Sequence, residues 1–155
     1  MALHLVAVGR VSDPALRAAC EEYLGRIRKM WSLEVHEVRS PAGKFPPGER
    51  MRREGDRLLA TIPPLALSVA LTRTGRSESS EKLAQRLAGW QAATRDVAFV
   101  IGGADGLDRR VHQRCEESLS LSTLTLPHEL ARLVLLEQLY RAGTIRRGTP
   151  YHKGG

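Results

Sequence analysis

The residues whose type and spacing could do chemistry are a pair of glycines in the second half of the chain. Gly102 and Gly103 directly follow an apolar run at 97–101. Paired glycines let the backbone approach a ligand closely, and they permit positive φ. The pair is not part of a Gly-x-Gly-x-x-Gly fingerprint in the first βα unit, and the sequence has no phosphate-binding loop ending in Gly-Lys-Ser/Thr. It also has no Gly-x-Ser-x-Gly nucleophile elbow. A glycine pair after a strand is often only a turn, so it defines no activity by itself.

Histidine and cysteine do not follow a metal-binding or nucleophile pattern in this sequence. Cys20 and Cys115 lie in separate helical-looking stretches, without the spacing of a disulfide framework or a metal site. The histidines are scattered without ligand spacing, at His4, His36, His112, His128 and His152. We therefore expect no metal site and no acyl-transfer nucleophile.

Hydrophobic periodicity predicts strands and helices that alternate along the whole chain. Alternating or continuous apolar runs predict strands at 3–9, 33–38, 65–71 and 97–101. Apolar residues at spacings of three and four predict helices at 15–28, 49–61 and 77–94. A length of 155 residues fits one domain. We predict a three-layer α/β fold with a mostly parallel sheet, formed by residues 1–155 as a single domain.

The most apolar stretch, residues 119–140, changes its period in the middle. Leucine alternates with Ser or Thr up to Leu126, which is typical of a short strand or an extended loop. Pro127 then fits the first turn of a helix. This helix, predicted at 128–141, carries leucines on more than one side, so we expect it to be buried on two sides. It is either a central core helix or a helix shared with a second subunit.

Three predicted loops lie where parallel sheets bind ligands, at the carboxyl ends of strands. They are residues 71–76, 101–107 and 121–128. Their backbone amides and aliphatic side chains predict a small pocket that suits a flat, adenine-like group.

The net charge indicates the class of partner. The formal charge is +7 at pH 7 and the pI is near 10.1. Surplus Lys and Arg favour polyanions, so nucleic acid is the expected partner, and a solvated basic surface without a partner is the alternative. No apolar run is long enough for a membrane span, and no leader segment is recognisable. We expect a soluble, cytoplasmic protein with no membrane partner.

Several segments together closely resemble the RlmH family. They include Phe-Val-Ile-Gly-Gly-Ala-Asp-Gly-Leu at 99–107, Leu-Pro-His-Glu-Leu-Ala-Arg at 126–132, Glu-Gln-Leu-Tyr-Arg-Ala at 137–142 and Pro-Tyr-His-Lys at 150–153. Matching residues also occur at 5–9, 41–44 and 53–55. The family comprises SPOUT-class methyltransferases that use S-adenosyl-L-methionine to methylate N3 of a pseudouridine in 23S ribosomal RNA. The resemblance implies this reaction, on the assembled ribosome.

The resemblance also implies features that periodicity does not predict. One is a deep trefoil knot in the C-terminal part of the chain, from about residue 66 to residue 155. Knots are rare exceptions to the rule that chains do not thread loops. Another is a homodimer, in which the leucine-rich helix would pack on the knotted sheet and on the second subunit.

The family's S-adenosyl-L-methionine site falls on one strand end, the glycine loop and the leucine-rich loop. The matching residues are Leu71, Gly103, Leu121, Ser122, Thr123, Leu124, Thr125 and Leu126. Backbone groups there would recognise the adenine edge, and the leucines would enclose its faces. The alternative is that the leucines are simply core residues.

Similarity to the family implies that the Tyr-His-basic tail completes the active site beside a partner subunit. The resemblance therefore makes Tyr151, His152 and Arg141 the catalytic candidates, with the general base undecided. Glu137 is a further polar candidate. RNA contacts are expected from His128, Arg146, Arg147 and Lys153. His128 is equally a candidate for a hydrogen bond at the start of its helix.

Some features depart from the family, and other functions stay open. The loop at 72–76, Thr-Arg-Thr-Gly-Arg, stands where many relatives carry an acidic residue or Gly-Lys, so it departs from the family on that side of the pocket. Gly154 and Gly155 extend past the usual ending. One alternative is a non-catalytic basic α/β protein that binds RNA. Another is a SPOUT methyltransferase of a different RNA.

Overall fold

The computed structural model describes residues 1–153, with the exception of the side chain at position 152. Strands and helices alternate along the chain. The strands are β1 (Ala2–Val8), β2 (Ser32–Val38), β3 (Leu67–Ser77), β4 (Val97–Ile101) and β5 (Glu117–Ser120). The helices are α1 (Pro14–Ile27), α2 (Pro47–Thr61), α3 (Ser80–Ala92), α4 (Arg109–Arg114) and α5 (His128–Arg147), and a 3₁₀ turn follows at Pro150–Lys153.

The five strands form one parallel sheet in the order β2-β1-β4-β3-β5. The predicted α/β class with a largely parallel sheet is confirmed. Because all strands run the same way, their carboxyl ends lie along one edge. The last part of β3 and the loops after β4 and β5 therefore meet at that edge, because these three strands are neighbours in the sheet.

Each face of the sheet has its own hydrophobic core. On one face, Leu3, Leu5 and Phe99 belong to a cluster that also contains residues of α1, α3 and α5. On the other, Val6 and Val100 pack with residues of α2 and α4. The core is therefore divided between two layers of helices that sandwich the sheet. No helix of the described residues is long and apolar enough to cross a membrane.

The leucine-rich helix is longer than its periodicity predicts. The helix α5 continues past Arg141 as far as Arg147, and residues 142–144 in this added part are buried. It ends at Gly148, whose φ of +67° is in the left-handed region that a helix C-terminus favours. Leu135, Leu136 and Leu139 are buried within the chain, whereas Leu130 and Val134 are only half-buried.

The prediction of a plain loop at 72–76 is wrong. The strand β3 continues through these residues to Ser77, but its pairing with β5 shifts: Leu71 and Arg76 are both aligned with Leu119. The intervening residues bulge around the backbone of Leu119. A Cβ at Gly75 would lie 2.9 Å from the Leu119 backbone nitrogen. The sequence missed this feature because the pairing partner is more than forty positions away in the chain, and local periodicity does not report it.

Candidate functional site

A cavity of about 780 Å³ lies at the carboxyl edge of the sheet, between residues 71–74 of β3 and the loops that follow β4 and β5. Its lining is a mixture of aliphatic side chains and loop backbone, which is typical of sites for small organic ligands. The lining residues are Leu71–Thr74, Ile101–Leu107, His112, Leu121, Ser122, Leu124–His128 and Ala131. A second cavity of about 590 Å³ is lined mainly by polar and charged side chains of residues such as Arg76, Glu116 and Glu117, so it fits an apolar ring less well.

Most of the residues that the sequence assigns to a cofactor line this cavity. They are Leu71, Gly103, Leu121, Ser122, Leu124, Thr125 and Leu126. Thr123 is exposed and does not line it. Leu71 and Leu121 also pack against the main core, whereas the side chain of Leu124 is 74% exposed. Leu124 is thus not a core residue, and its exposed apolar surface borders the cavity.

The glycine loop is held in a tight turn. The Gly106 amide donates to the Gly103 carbonyl oxygen at 3.1 Å. A Cβ at Gly102 would lie 2.5 Å from the Gly106 carbonyl oxygen, so only glycine fits there. Positive φ occurs at Gly106, at +91°, and not at Gly102 or Gly103. Glycine is therefore needed at 102 and 103 because neighbouring atoms leave no room for a side chain, and not because the backbone has a positive φ.

A buried carboxylate lies directly behind the glycine loop. Glu54 on α2 is 2% exposed, and its Oε2 would be 2.5 Å from a Cβ at Gly103. Its Oε1 and the Oδ2 of Asp105 are buried without a hydrogen-bond partner among the described residues. Burial, followed by the nearby charge of Asp105, raises the pKa of the Glu54 carboxyl, against the opposing effect of a Ser40 hydrogen bond and two arginines. Sequence reasoning missed Glu54 because the predicted helix at 49–61 carries many charged residues of both signs, and nothing in the sequence distinguishes this one.

The first turn of α5 borders the cavity, and contacts to the loop after β1 hold it in place. Glu129 accepts from the backbone amides of Ser12 at 2.5 Å and of Asp13 at 3.2 Å. The hydrogen bond from the Asp13 amide is the main cause that lowers the pKa of Glu129. Arg132 is buried and donates to the Gly9 carbonyl oxygen at 2.6 Å. These contacts fix the position of His128, which lines the cavity and is half-buried.

The tail candidates form a separate polar cluster at the other end of α5. The Tyr151 hydroxyl lies 3.0 Å from the Tyr23 hydroxyl and donates to Glu137 Oε1, also at 3.0 Å. The Arg141 guanidinium donates to the same Glu137 oxygen at 2.7 Å and lies 5.0 Å from the centre of the Tyr151 ring. The Tyr140 ring packs edge-on against Tyr151. Burial, together with the hydrogen bonds to Tyr23 and Glu137, raises the pKa of Tyr151.

The described members of this cluster do not line the cavity of their own chain. Ala131 is the last residue of α5 that lines the cavity, and ten residues of the same helix separate it from Arg141. A rise of 1.5 Å per residue places these two positions about 15 Å apart. Arg141 and Tyr151 are both in the described part of the chain, and neither lines the cavity. The side chain of His152 lies outside the described residues.

The remaining basic candidates are on the surface. Arg146, Arg147 and Lys153 are exposed, and Arg146 donates to the side chain of Gln91. These three residues lie near the tail cluster and do not line the cavity. His128 is the RNA-binding candidate that lines it. Such side chains can contact phosphates but carry little sequence selectivity of their own.

The expectation that the histidines are scattered fails for two of them. The Nδ1 of His4 and the Nε2 of His36 are 3.2 Å apart, and the carboxylate of Glu34 faces both nitrogens. These three residues could hold a metal ion. The spacing of residues along the sequence does not reveal this group, because pairing between β1 and β2 brings His4 to Glu34 and His36.

Comparison with known proteins places the chain in a family. The family described as "Predicted SPOUT methyltransferase" matches residues 1–152. The chain is 48% identical to the ribosomal RNA large subunit methyltransferase H of Anaeromyxobacter sp. (strain Fw109-5), over 99% of this chain and 100% of that protein. The proteins of the same name from Gemmatimonas aurantiaca and Burkholderia thailandensis are 44% and 43% identical, each over 99% of this chain.

The fold also resembles a solved structure at low sequence identity. A probable methylase family protein from Haemophilus influenzae Rd KW20 superimposes with a TM-score of 0.56 over 96% of this chain and 69% of that chain, at 12% identity. That similarity concerns the fold alone. Because the family matches nearly the whole length of the chain, the chain belongs to the SPOUT methyltransferase family.

Proposed function

We propose that the chain is an S-adenosyl-L-methionine-dependent methyltransferase that methylates N3 of a pseudouridine in 23S ribosomal RNA. The observation that carries the proposal is the cavity at the carboxyl edge of the sheet, where the glycine loop and the leucine-rich loop face each other. It belongs to a chain whose relatives are named ribosomal RNA large subunit methyltransferase H. Ribosomes are cytoplasmic, so the proposal places the protein there.

The cavity has the chemistry that this cofactor needs. Leu121, Leu124 and Leu126 provide apolar surface for the faces of an adenine ring, and the loop backbone provides donors and acceptors for its edge. When bound, S-adenosyl-L-methionine supplies a methyl group on a positively charged sulfur. Asp105 lines the cavity and has a buried oxygen without a hydrogen-bond partner among the described residues, so an acidic side chain is available on that side. The residues present therefore fit a cationic cofactor.

Two copies of the chain are part of the proposal. Arg141 is about 15 Å along α5 from Ala131, the last residue of that helix that lines the cavity, and neither Arg141 nor Tyr151 lines the cavity of its own chain. Pairing of two chains would place the tail of one beside the cavity of the other. The half-buried Leu130 and Val134 on α5 offer apolar surface for such a contact. Analytical ultracentrifugation is expected to report a dimer.

The tail residues have different roles in this scheme. The raised pKa of Tyr151 keeps its phenol protonated at neutral pH, so it does not remove the proton from N3. Because that hydroxyl already donates to Glu137, its oxygen would orient the substrate by accepting a hydrogen bond. Arg141 is held by Glu137 and is placed to bind a phosphate or the base. An imidazole accepts a proton near neutral pH, which makes His152 the candidate base. Arg146, Arg147, Lys153 and His128 would contact the RNA.

A trefoil knot in residues 66–155 is also proposed. Supporting it, residues 72–75 bulge around Leu119, and Leu71 and Arg76 are both aligned with that residue. The Ser120 hydroxyl donates to the Arg73 carbonyl oxygen at 3.0 Å, so the bulge contacts the end of β5. We propose that the segment after β5 is threaded there before it continues into α5.

Removal of the tail tests whether cofactor binding and methyl transfer depend on different parts of the chain. A variant that ends at Pro150 should bind S-adenosyl-L-methionine as the full chain does, because Tyr151 and Lys153, the described side chains that it lacks, do not line the cavity. It should lose transfer of labelled methyl groups to ribosomes that lack the modification. Normal transfer by the truncated protein would remove the tail from the active site. Lost cofactor binding in a folded truncated protein would contradict the separation of cavity and tail.

A further inference from the structure

Three side chains with metal-binding atoms converge on the edge of the sheet formed by β1 and β2. His4 is aligned with Glu34 in the parallel register, and His36 follows two residues later on β2. Because side chains alternate along a strand, Glu34 and His36 point to the same face. The pairing thus brings together residues that are thirty or more positions apart.

The distances between the donor atoms approach those of a tetrahedral site. Zinc binds imidazole nitrogen and carboxylate oxygen at about 2.0–2.2 Å, which places neighbouring ligand atoms about 3.3–3.5 Å apart. The His4 Nδ1 to His36 Nε2 distance is 3.2 Å. The Glu34 Oε2 lies 3.5 Å from His36 Nε2 and 3.8 Å from His4 Nδ1. The Glu34 side chain is 59% exposed, so it can move the last few tenths of an ångström at little cost.

The surroundings also suit a bound cation. The other ring nitrogen of His4, Nε2, faces the carboxylate of Asp96 at 3.9 Å. Histidines that bind metals commonly direct their second nitrogen towards a carboxylate, which fixes the ring orientation. Asp96 is itself held, since it accepts from the Ala2 amide at 2.8 Å. His4 is buried, so one ligand is already in a fixed position before a metal arrives.

We propose that His4, Glu34 and His36 form a binding site for a divalent transition metal ion of the zinc class. Two imidazoles and one carboxylate are borderline ligands that suit Zn²⁺, Co²⁺ or Ni²⁺ rather than Mg²⁺. We expect water to fill the fourth position, since the Glu34 side chain is largely exposed. The site lies near the amino-terminal end of β1, away from the cavity, and a bound ion would fix the edge strand β2 to β1. Its role is structural, and it is independent of the methyl-transfer proposal.

The test uses the full chain without a histidine tag, freed of metal with a chelator. Titration with Zn²⁺ in a calorimeter should give one ion per chain, and Co²⁺ should give the visible absorption bands of a tetrahedral complex. His36→Gln and Glu34→Gln change partly exposed residues, so they should fold, and each should weaken Zn²⁺ binding at least about tenfold. His112→Gln, which removes a histidine outside the group, is the matched control. Zn²⁺ should also raise the melting temperature of the wild type but not of His36→Gln.

Either of two results would overturn the proposal. One is a wild-type chain that binds no Zn²⁺ in this titration, which would leave a hydrogen-bonded histidine pair only. The other is equal Zn²⁺ affinity in the wild type and in folded His36→Gln, which would place any bound ion elsewhere.

Discussion

Replacement of Leu124 by alanine tests whether the leucine-rich loop closes on a cofactor. The side chain is 74% exposed and borders the cavity, so its apolar surface contributes little to folding. Full burial of a leucine is worth about 1.5–3 kcal/mol, and alanine keeps only a minor part of that side chain. If the cofactor covers Leu124, the substitution should cost about 1–2 kcal/mol of binding free energy. That corresponds to a dissociation constant about 5- to 30-fold higher.

The chain offers a matched control for this change. Leu65 is 88% exposed, and it lies before β3 at the opposite end of the sheet from the cavity. Calorimetric titration with S-adenosyl-L-methionine should give a higher dissociation constant for Leu124→Ala than for the wild type. Leu65→Ala should keep the wild-type dissociation constant. Both variants should keep the wild-type free energy of unfolding to within about 0.5 kcal/mol. Unchanged cofactor affinity in Leu124→Ala, or an equal loss in Leu65→Ala, would refute the reasoning.

Three further substitutions test the framework around the cavity. Gly102→Ala places a Cβ 2.5 Å from the Gly106 carbonyl oxygen and should lower the free energy of unfolding by about 1–3 kcal/mol in a denaturant titration, whereas Gly89→Ala on the open side of α3 should not. Burial raises the pKa of the Glu54 carboxyl above its ordinary value of 4.5, so the folded state favours the protonated form. The free energy of unfolding of the wild type should therefore fall as the pH rises from about 4.5 through the pKa of the folded state. Glu54→Gln lacks this loss, so its free energy of unfolding should rise relative to that of the wild type between pH 4 and pH 7. A stability difference that does not change with pH would contradict this. Arg132→Met removes a buried donor to the loop after β1 and should cost about 1.5–3 kcal/mol, measured in the same way; a smaller loss would mean that the contact is not needed.

Local periodicity predicted the elements that build the site. The apolar run at 97–101 and the glycines after it predicted a buried strand and a close-approach loop, and the structure places that loop beside the cavity. The assignment of a ligand to the loops at the carboxyl ends of strands required only that the sheet be parallel. Periodicity also identified α5 as an unusually apolar helix, although its last turns extend beyond the predicted end.

Features that depend on pairing between distant segments were not predictable in this way. The bulge at 72–76 exists because β3 pairs with Leu119, and the histidine group exists because β1 pairs with β2. Glu54 looked like one charge among many on α2, and only the packing of α2 against the glycine loop buries it. The tail cluster likewise depends on packing between distant segments, because Tyr151 meets Tyr23 of α1 and Glu137 of α5.

The central claim is the transfer of a methyl group to one pseudouridine of 23S ribosomal RNA. The most direct measurement incubates the wild-type chain with labelled S-adenosyl-L-methionine and ribosomes that lack the modification, beside separated subunits and free rRNA. The position of the label is then mapped in the RNA. We expect label on N3 of a single pseudouridine, and only with assembled ribosomes. An absence of label on every substrate, from a protein that binds the cofactor, would contradict the claim and favour a non-catalytic RNA-binding protein or a different RNA.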